Sequence, residues 1–184
     1  MPIPFHDSES LETLGAAAFL RLHCLTDEPQ HWAGCVFLIN GRGEPLEFVY
    51  NRLQLLPTAL WREQDAQTAA ARRVMTSLFA ATVLTPKLLF VLESPMTEAL
   101  VGVNRSIWPD IPDIRVRRPE TDVQSSASRP EKHAITVIWG SKPPELGASR
   151  LYDAIEGRSL LLEPFERALM GLREVYPEWA GLIL

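Results

Sequence analysis

The chain has 184 residues, of which 46% are hydrophobic, and a formal net charge of −5. A domain of this length buries about 70% of its unfolded-chain surface, so we predict one domain over residues 1–184 that needs no disulfide or metal for stability. The negative charge excludes a general attraction to nucleic acid or to anionic membranes.

The sequence shows no export or membrane signal. Residues 1–10 lack a basic region followed by an apolar core, and no apolar run approaches the ~20 residues that span a bilayer. The two cysteines are then expected to be reduced thiols. We therefore predict a cytoplasmic protein with no membrane association and no cofactor.

Residues 16–25 are ambiguous, because their alanines favour a helix while their second half alternates as a strand does. The alternation, and the short link over residues 26–32 to the next strand, favour a strand over residues 19–25. The two faces of that strand would carry Phe19, Arg21 and His23 on one side, and Leu20, Leu22 and Cys24 on the other.

A β-hairpin is the best-supported element. Apolar runs over residues 34–39 and 46–50 flank Asn40-Gly41-Arg42-Gly43, and Asn-Gly tolerates the positive φ angles of a tight hairpin turn. In the first run, the side chains at odd and at even positions are both apolar, which is typical of a strand covered on both faces. We therefore expect it in the middle of a sheet.

Downstream of the hairpin, helical spacing of apolar residues predicts one long helix over residues 59–82. A buried strand is predicted over residues 88–92, and a brief strand over residues 114–118. Residues 119–132 are almost free of apolar side chains and are expected to form a mobile loop. A further strand is predicted over residues 133–139.

Two helices are predicted in the last part of the chain, the first over residues 149–157. The second begins at Pro164 and ends before Pro177. Its apolar stripe consists of Phe165, Leu169, Leu172 and Tyr176. Glu163 and Arg167 are spaced to form an i,i+4 ion pair near its start.

A short helix is predicted over residues 95–100, with Pro95 at its first position. Counted with this helix and without the brief strand, the elements up to residue 157 are strand, strand, strand, helix, strand, helix, strand, helix. This succession resembles the element order of the ribonuclease H-like fold. We therefore predict an α/β (mixed α+β) domain with a single mixed sheet of about five strands, beginning with an N-terminal antiparallel meander.

That resemblance implies a site where carboxylates bind two divalent metals, the first carboxylate coming from the opening strand. Residues 16–25 contain neither Asp nor Glu. Glu93 follows the strand over residues 88–92, and Asp153 and Glu156 lie on a later helix. The alternative function is therefore a metal-dependent hydrolase, a nuclease acting on nucleic acid, with Glu93, Asp153 and Glu156 as its catalytic candidates.

A zinc site is considered because His23, Cys24, His31 and Cys35 lie close together in sequence. His23 and Cys24 would point to opposite faces of a strand, and the cysteines lack the paired C-x₂₋₄-C spacing of zinc sites. We predict no metal ligand here, and we interpret Cys35 as a small core residue.

Two surfaces are candidates for binding a partner. Arg115, Arg117 and Arg118 form a local cluster. Residues 105–133 hold six Lys/Arg and five acids, so their net charge is only about +1. Contact with nucleic acid is possible, but this net charge does not support it. The second surface is the apolar C-terminal tail, residues 178–184. Its large side chains are Trp179, Leu182, Ile183 and Leu184.

These patterns show no set of catalytic residues. They do not decide whether the protein is an enzyme, but they favour a protein without enzymatic activity. The main prediction is a non-catalytic accessory or protein-interaction subunit of an intracellular assembly. Its partner would be another protein subunit or a second copy of the chain. The tail, the three arginines and the loop over residues 119–132 would form the contacts.

Overall fold

One mixed sheet organises the computed structural model, which describes residues 11–25, 31–55, 62–94, 106–118, 135–140 and 145–179. Six strands form the sheet in these residues: β1 (Ala17–Cys24), β2 (His31–Ile39), β3 (Pro45–Gln54), β4 (Leu88–Leu92), β5 (Asp113–Arg117) and β6 (Thr136–Trp139). Their spatial order is β3-β2-β1-β4-β5-β6. Neighbours among β1–β3 are antiparallel, β1, β4 and β5 run parallel, and β6 is antiparallel to β5. The predicted mixed sheet with an antiparallel start is confirmed.

The hairpin between β2 and β3 is confirmed, and its turn is held by the Asn40 side chain. The Asn40 carbonyl oxygen accepts hydrogen bonds from the backbone N–H groups of Arg42 (2.9 Å) and Glu44 (3.0 Å). Gly43, rather than the predicted Asn-Gly pair, has the positive φ of 85°. Both strands extend beyond the predicted runs, because pairing continues from Ile39 back to His31.

The ambiguous segment is a strand, as predicted, and it lies in the centre of the sheet. β1 pairs with β2 over its whole length and with β4 over its first half, where Ala17 pairs with Leu88 and Leu20 with Val91. Strands pair with both edges of its alanine-rich first half, and helices cover both faces, so tertiary context overrides the helical propensity of its alanines. The strand begins at Ala17 and ends at Cys24.

Helices cover the two faces of the sheet and make three layers. α1 (Glu63–Ala81) packs on one face, and α2 (Leu146–Gly157) and α3 (Glu163–Val175) pack on the other. A 3₁₀ turn, Pro177–Trp179, follows α3. α2 begins three residues before the predicted start. The predicted start of α1, residues 59–61, lies outside the described residues.

Alternate residues of β1 belong to two separate cores. Ala18 and Leu20 contact the α1 side, whereas Phe19 faces α3, where its ring stacks on Phe90 at 4.7 Å and meets the edge of Phe165 at 5.1 Å. The strand alternation then places the next side chain on that face, Arg21, next to α3 as well.

Two predicted segments lie largely outside the described residues. The structure does not describe residues 119–132, the predicted mobile loop, and describes the predicted tail only as far as Trp179. In the described part of the chain, no helix is long and apolar enough to cross a membrane.

Candidate functional site

The strand order reverses direction at β1, since the chain continues first to β2 on one side and later to β4 on the other. In open α/β sheets, ligands bind at such a switch point, outside the carboxyl ends of the strands. Here β1, β4 and β5 are parallel, so their carboxyl ends share one edge of the sheet. The charged residues at this edge therefore form the candidate site.

Arg21 lies on β1, one residue after the last residue of β1 that pairs with β4. Arg21 is only 5% exposed. Its Nε donates to His23 Nε2 at 3.2 Å. Burial, followed by the positive charge of Arg118, lowers the pKa of Arg21 from its ordinary value. Within the described residues, the buried Nη1 of Arg21 has no hydrogen-bond partner. A cation is therefore held in a dry position at the switch point.

His23 is neutral in this environment. Burial, with the positive charges of Arg21 and Arg173, lowers its pKa to about 3. Because its Nε2 accepts the Arg21 hydrogen bond, the proton of the neutral ring is on Nδ1. At neutral pH His23 is a hydrogen-bond acceptor for Arg21 and not a second cation.

The end of β5 and helix α3 complete this group of charges. Arg118, directly after β5, donates to Glu166 on the first turn of α3. Both of these side chains are about half exposed. Arg173, in the last turn of α3, acts electrostatically on both Arg21 and His23. We call Arg21, His23, Arg118, Glu166 and Arg173 the β1–α3 cluster.

Glu93, the first catalytic candidate of the alternative function, forms an ion pair. Its carboxylate accepts from Arg117 Nε at 2.5 Å and from Arg117 Nη2 at 2.8 Å. Hydrogen bonding by Arg117 lowers the pKa of Glu93, with smaller contributions from the charges of Arg117 and Arg115. Alternation along β4 and β5 places this pair on the α1 face, opposite to Arg21.

The other two candidates lie on α2, on the α3 side of the sheet. Asp153 is exposed, and Glu156 accepts a hydrogen bond from the Tyr152 hydroxyl at 3.0 Å. The sheet therefore separates both from Glu93. Within the described residues, no group of three or more His, Cys, Asp or Glu is placed to hold a metal ion.

The residues considered for zinc are also separated. His23 and Cys24 point to opposite faces of β1, and His31 begins β2 opposite Gln54 of β3. The fully buried Cys35 donates its thiol to the Ala168 carbonyl at 3.6 Å. Burial raises the pKa of that thiol to about 12, so Cys35 is a core residue as interpreted from the sequence.

The three arginines predicted to bind a protein partner lie on two faces of the sheet. Arg115 and Arg117 alternate with Ile114 and Val116, which face the α3 core, whereas Arg118 reaches α3. Trp179 ends the 3₁₀ turn. The remaining tail residues, Leu182, Ile183 and Leu184, lie outside the described part of the chain.

Sequence reasoning did not identify Arg21, His23, Glu166 or Arg173 as site residues. The available signal was Arg21 itself, a charged side chain on the strand face shared with Phe19. Alternation assigns that side chain to a face but does not say that a helix covers the face. Glu166 and Arg173 come from α3, more than 140 residues away in sequence, and no local pattern links them to Arg21.

Comparisons with solved structures identify the fold. No family model and no curated protein match the sequence. Endonuclease V from Bacillus subtilis superposes with a TM-score of 0.53 and 9% identity, over 78% of this chain and 73% of that one. Argonaute from Marinitoga piezophila, in complex with 5′ OH guide RNA, superposes with a TM-score of 0.46 and 10% identity, over 83% of this chain and 27% of that one. Endonuclease V from Ciona intestinalis, in complex with an inosine-containing 24mer DNA, superposes with a TM-score of 0.40 and 8% identity, over 59% of this chain and 48% of that one.

The Bacillus subtilis likeness shows a ribonuclease H-like fold, as the element order predicted. The other two TM-scores are below 0.5 and add no argument. The prediction of a non-catalytic accessory or protein-interaction subunit is wrong, because the chain shares its fold with an endonuclease, which agrees with the alternative reading better than with the main one. A protein partner or homodimer stays a prediction.

Proposed function

We propose that this protein acts on nucleic acid and binds the phosphate backbone of a strand at the carboxyl ends of β1, β4 and β5. The observation that carries the proposal is the buried Arg21 at the switch point of the sheet, whose Nη1 has no partner among the described residues. The positive charges of Arg118 and Arg173 act on the same guanidinium. Phosphate oxygens are the acceptors that arginine side chains recognise most often in nucleic-acid complexes.

The fold supports this proposal, since an endonuclease shares it. The net charge of −5 does not oppose it, because binding depends on cations along the contacted backbone rather than on the total charge. The partly exposed Arg118 is the residue of the cluster that a strand would reach first. Its partner Glu166 would then compete with phosphate for the same guanidinium.

That competition gives two changes with opposite expected effects. Arg118→Gln removes a phosphate contact, so it should weaken binding and reduce the slope of log K against log salt by about one. Glu166→Gln releases Arg118 from its carboxylate, so it should strengthen binding. The measurement is fluorescence anisotropy with labelled single- and double-stranded DNA and RNA, across a range of salt concentrations.

Arg73→Gln is the matched control, because Arg73 is exposed on α1, on the other side of the sheet. It removes the same charge and should leave affinity and salt slope nearly unchanged. Equal effects of the Arg73 and Arg118 changes would show that binding depends only on net charge. That result, or no binding by the unmodified protein at low salt, would refute the proposed surface.

Metal-dependent hydrolysis of nucleic acid is the second candidate. It rests on Glu93, which directly follows β4 at the same edge of a sheet shared with an endonuclease. Carboxylates at such an edge bind Mg²⁺ or Mn²⁺ in two-metal nucleases. Cleavage that needs Mg²⁺ or Mn²⁺ and is lost in Glu93→Gln would support it. Absence of cleavage across single- and double-stranded DNA and RNA would exclude it.

A further inference from the structure

The Arg21 guanidinium lacks a matching anion in the described part of the chain. Arginine stays protonated in proteins and carries five N–H donors, and a buried charge without a partner is costly. Arg21 Nε has His23 as its acceptor, but the buried Nη1 has no acceptor among the described residues. One donor of a nearly buried cation is therefore left unmatched among the described residues.

Among the described residues, the charged groups around Arg21 do not supply this anion. Glu166 is the carboxylate that acts favourably on Arg21, but the same carboxylate accepts from Arg118. Arg118 and Arg173 both act unfavourably on Arg21, as positive charges do. The β1–α3 cluster therefore attracts an anion at the position of Arg21.

The geometry of the cluster favours one class of anion. A guanidinium presents parallel N–H donors that match the oxygens of a phosphate group. A phosphodiester within a strand is attached on two sides, whereas a terminal phosphate has one attachment and three free oxygens. Since Arg21 is almost fully buried, the group that reaches it must enter end-on.

We propose that Arg21, with Arg118 and Arg173, forms a binding site for a terminal phosphate monoester. The site deepens the proposed function, on which its assignment to the phosphorylated end of a nucleic-acid strand rests. Arg21 binds the innermost phosphate oxygens. Arg118 and Arg173, whose positive charges act on Arg21, add to the attraction for the group.

The first test separates an anion site from a buried arginine that the chain itself neutralises. In phosphate-free buffer, Arg21→Met should raise the unfolding temperature, because an apolar side chain replaces an unmatched buried charge. Inorganic phosphate should raise the unfolding temperature of the unmodified protein but not that of the variant. Sodium chloride at the same ionic strength is the reference, and Arg73→Met is the matched control.

A lower unfolding temperature in Arg21→Met, together with no phosphate effect on the unmodified protein, would overturn the proposal. It would mean that an acidic group of the chain pairs with Arg21. If Arg21→Met does not fold, the phosphate titration is repeated with Arg118→Gln, which changes a half-exposed side chain. An unchanged phosphate response in Arg118→Gln would equally overturn the proposed cluster.

The second test uses one oligonucleotide sequence with a 5′ phosphate, a 3′ phosphate or hydroxyl groups at both ends. One phosphorylated form should bind at least about tenfold more tightly than the unphosphorylated form, and Arg21→Met should abolish the difference. Equal binding of all three forms overturns the terminal-phosphate site and leaves the proposed function standing. Stabilisation by inorganic phosphate without binding of any oligonucleotide supports the site and refutes the proposed function.

Discussion

Acidification should destabilise this protein through His23. The pKa of His23 is lowered to about 3 in the folded protein, from an ordinary value of 6.5, by burial and then by the charges of Arg21 and Arg173. Between these values the unfolded chain binds one more proton than the folded protein, so stability is fully present above pH 6.5 and falls as pH decreases. The loss is about 1.4 kcal/mol per pH unit in this range, or about 2 kcal/mol between pH 7 and pH 5.

Urea denaturation at pH 7, 6 and 5 measures this loss. The range avoids most of the titration of carboxylates, whose ordinary pKa values are near 4. His23→Gln is the matched control, because the glutamine side-chain oxygen can accept the Arg21 hydrogen bond but does not titrate. The variant should lose most of the pH dependence, and equal pH dependence in both proteins would refute the buried, neutral His23.

Two further predictions concern the packing of the sheet. Phe19→Ala should destabilise the protein by about 3–5 kcal/mol, since Phe19 is fully buried between Phe90 and Phe165. Val83→Ala is its exposed control, and a similar effect of the two changes on urea denaturation would contradict the packing. Glu47→Gln should accelerate hydrogen exchange at the backbone N–H groups of Val83 and Leu84, because the Glu47 carboxylate accepts from both, at 2.9 and 3.0 Å. Unchanged exchange at both positions would mean that Glu47 does not hold this turn.

Elements fixed by local chemistry could be predicted from the sequence. The hairpin was found because Asn40 and the following glycines allow a tight turn between two apolar runs. β4 was found at its observed bounds, Leu88–Leu92, since prolines on either side limit the run. The predicted Glu163–Arg167 pair is confirmed, with Arg167 Nε 2.7 Å from the Glu163 carboxylate.

Features that depend on tertiary contacts could not be predicted in the same way. β1 was ambiguous because its alanines favour a helix, and only its neighbours β2 and β4 decide the matter. The Glu93–Arg117 pair joins adjacent strands whose pairing no local pattern reveals. Arg21 would be a surface residue if its strand were half exposed, and it is a buried cation because α3 covers it. The sequence does not distinguish these two environments.

The sheet separates the two proposed activities, so they can be tested independently. Phosphate binding uses Arg21 on the α3 face, whereas hydrolysis would use Glu93 on the α1 face. A divalent cation near Arg21 would be repelled by its charge, so any metal at this edge would have to bind beside Glu93 and displace Arg117. Arg117→Gln should therefore release Glu93 and increase any metal-dependent cleavage while leaving the terminal-phosphate preference intact. Loss of that preference in Arg117→Gln would show that both faces contact the same phosphate group.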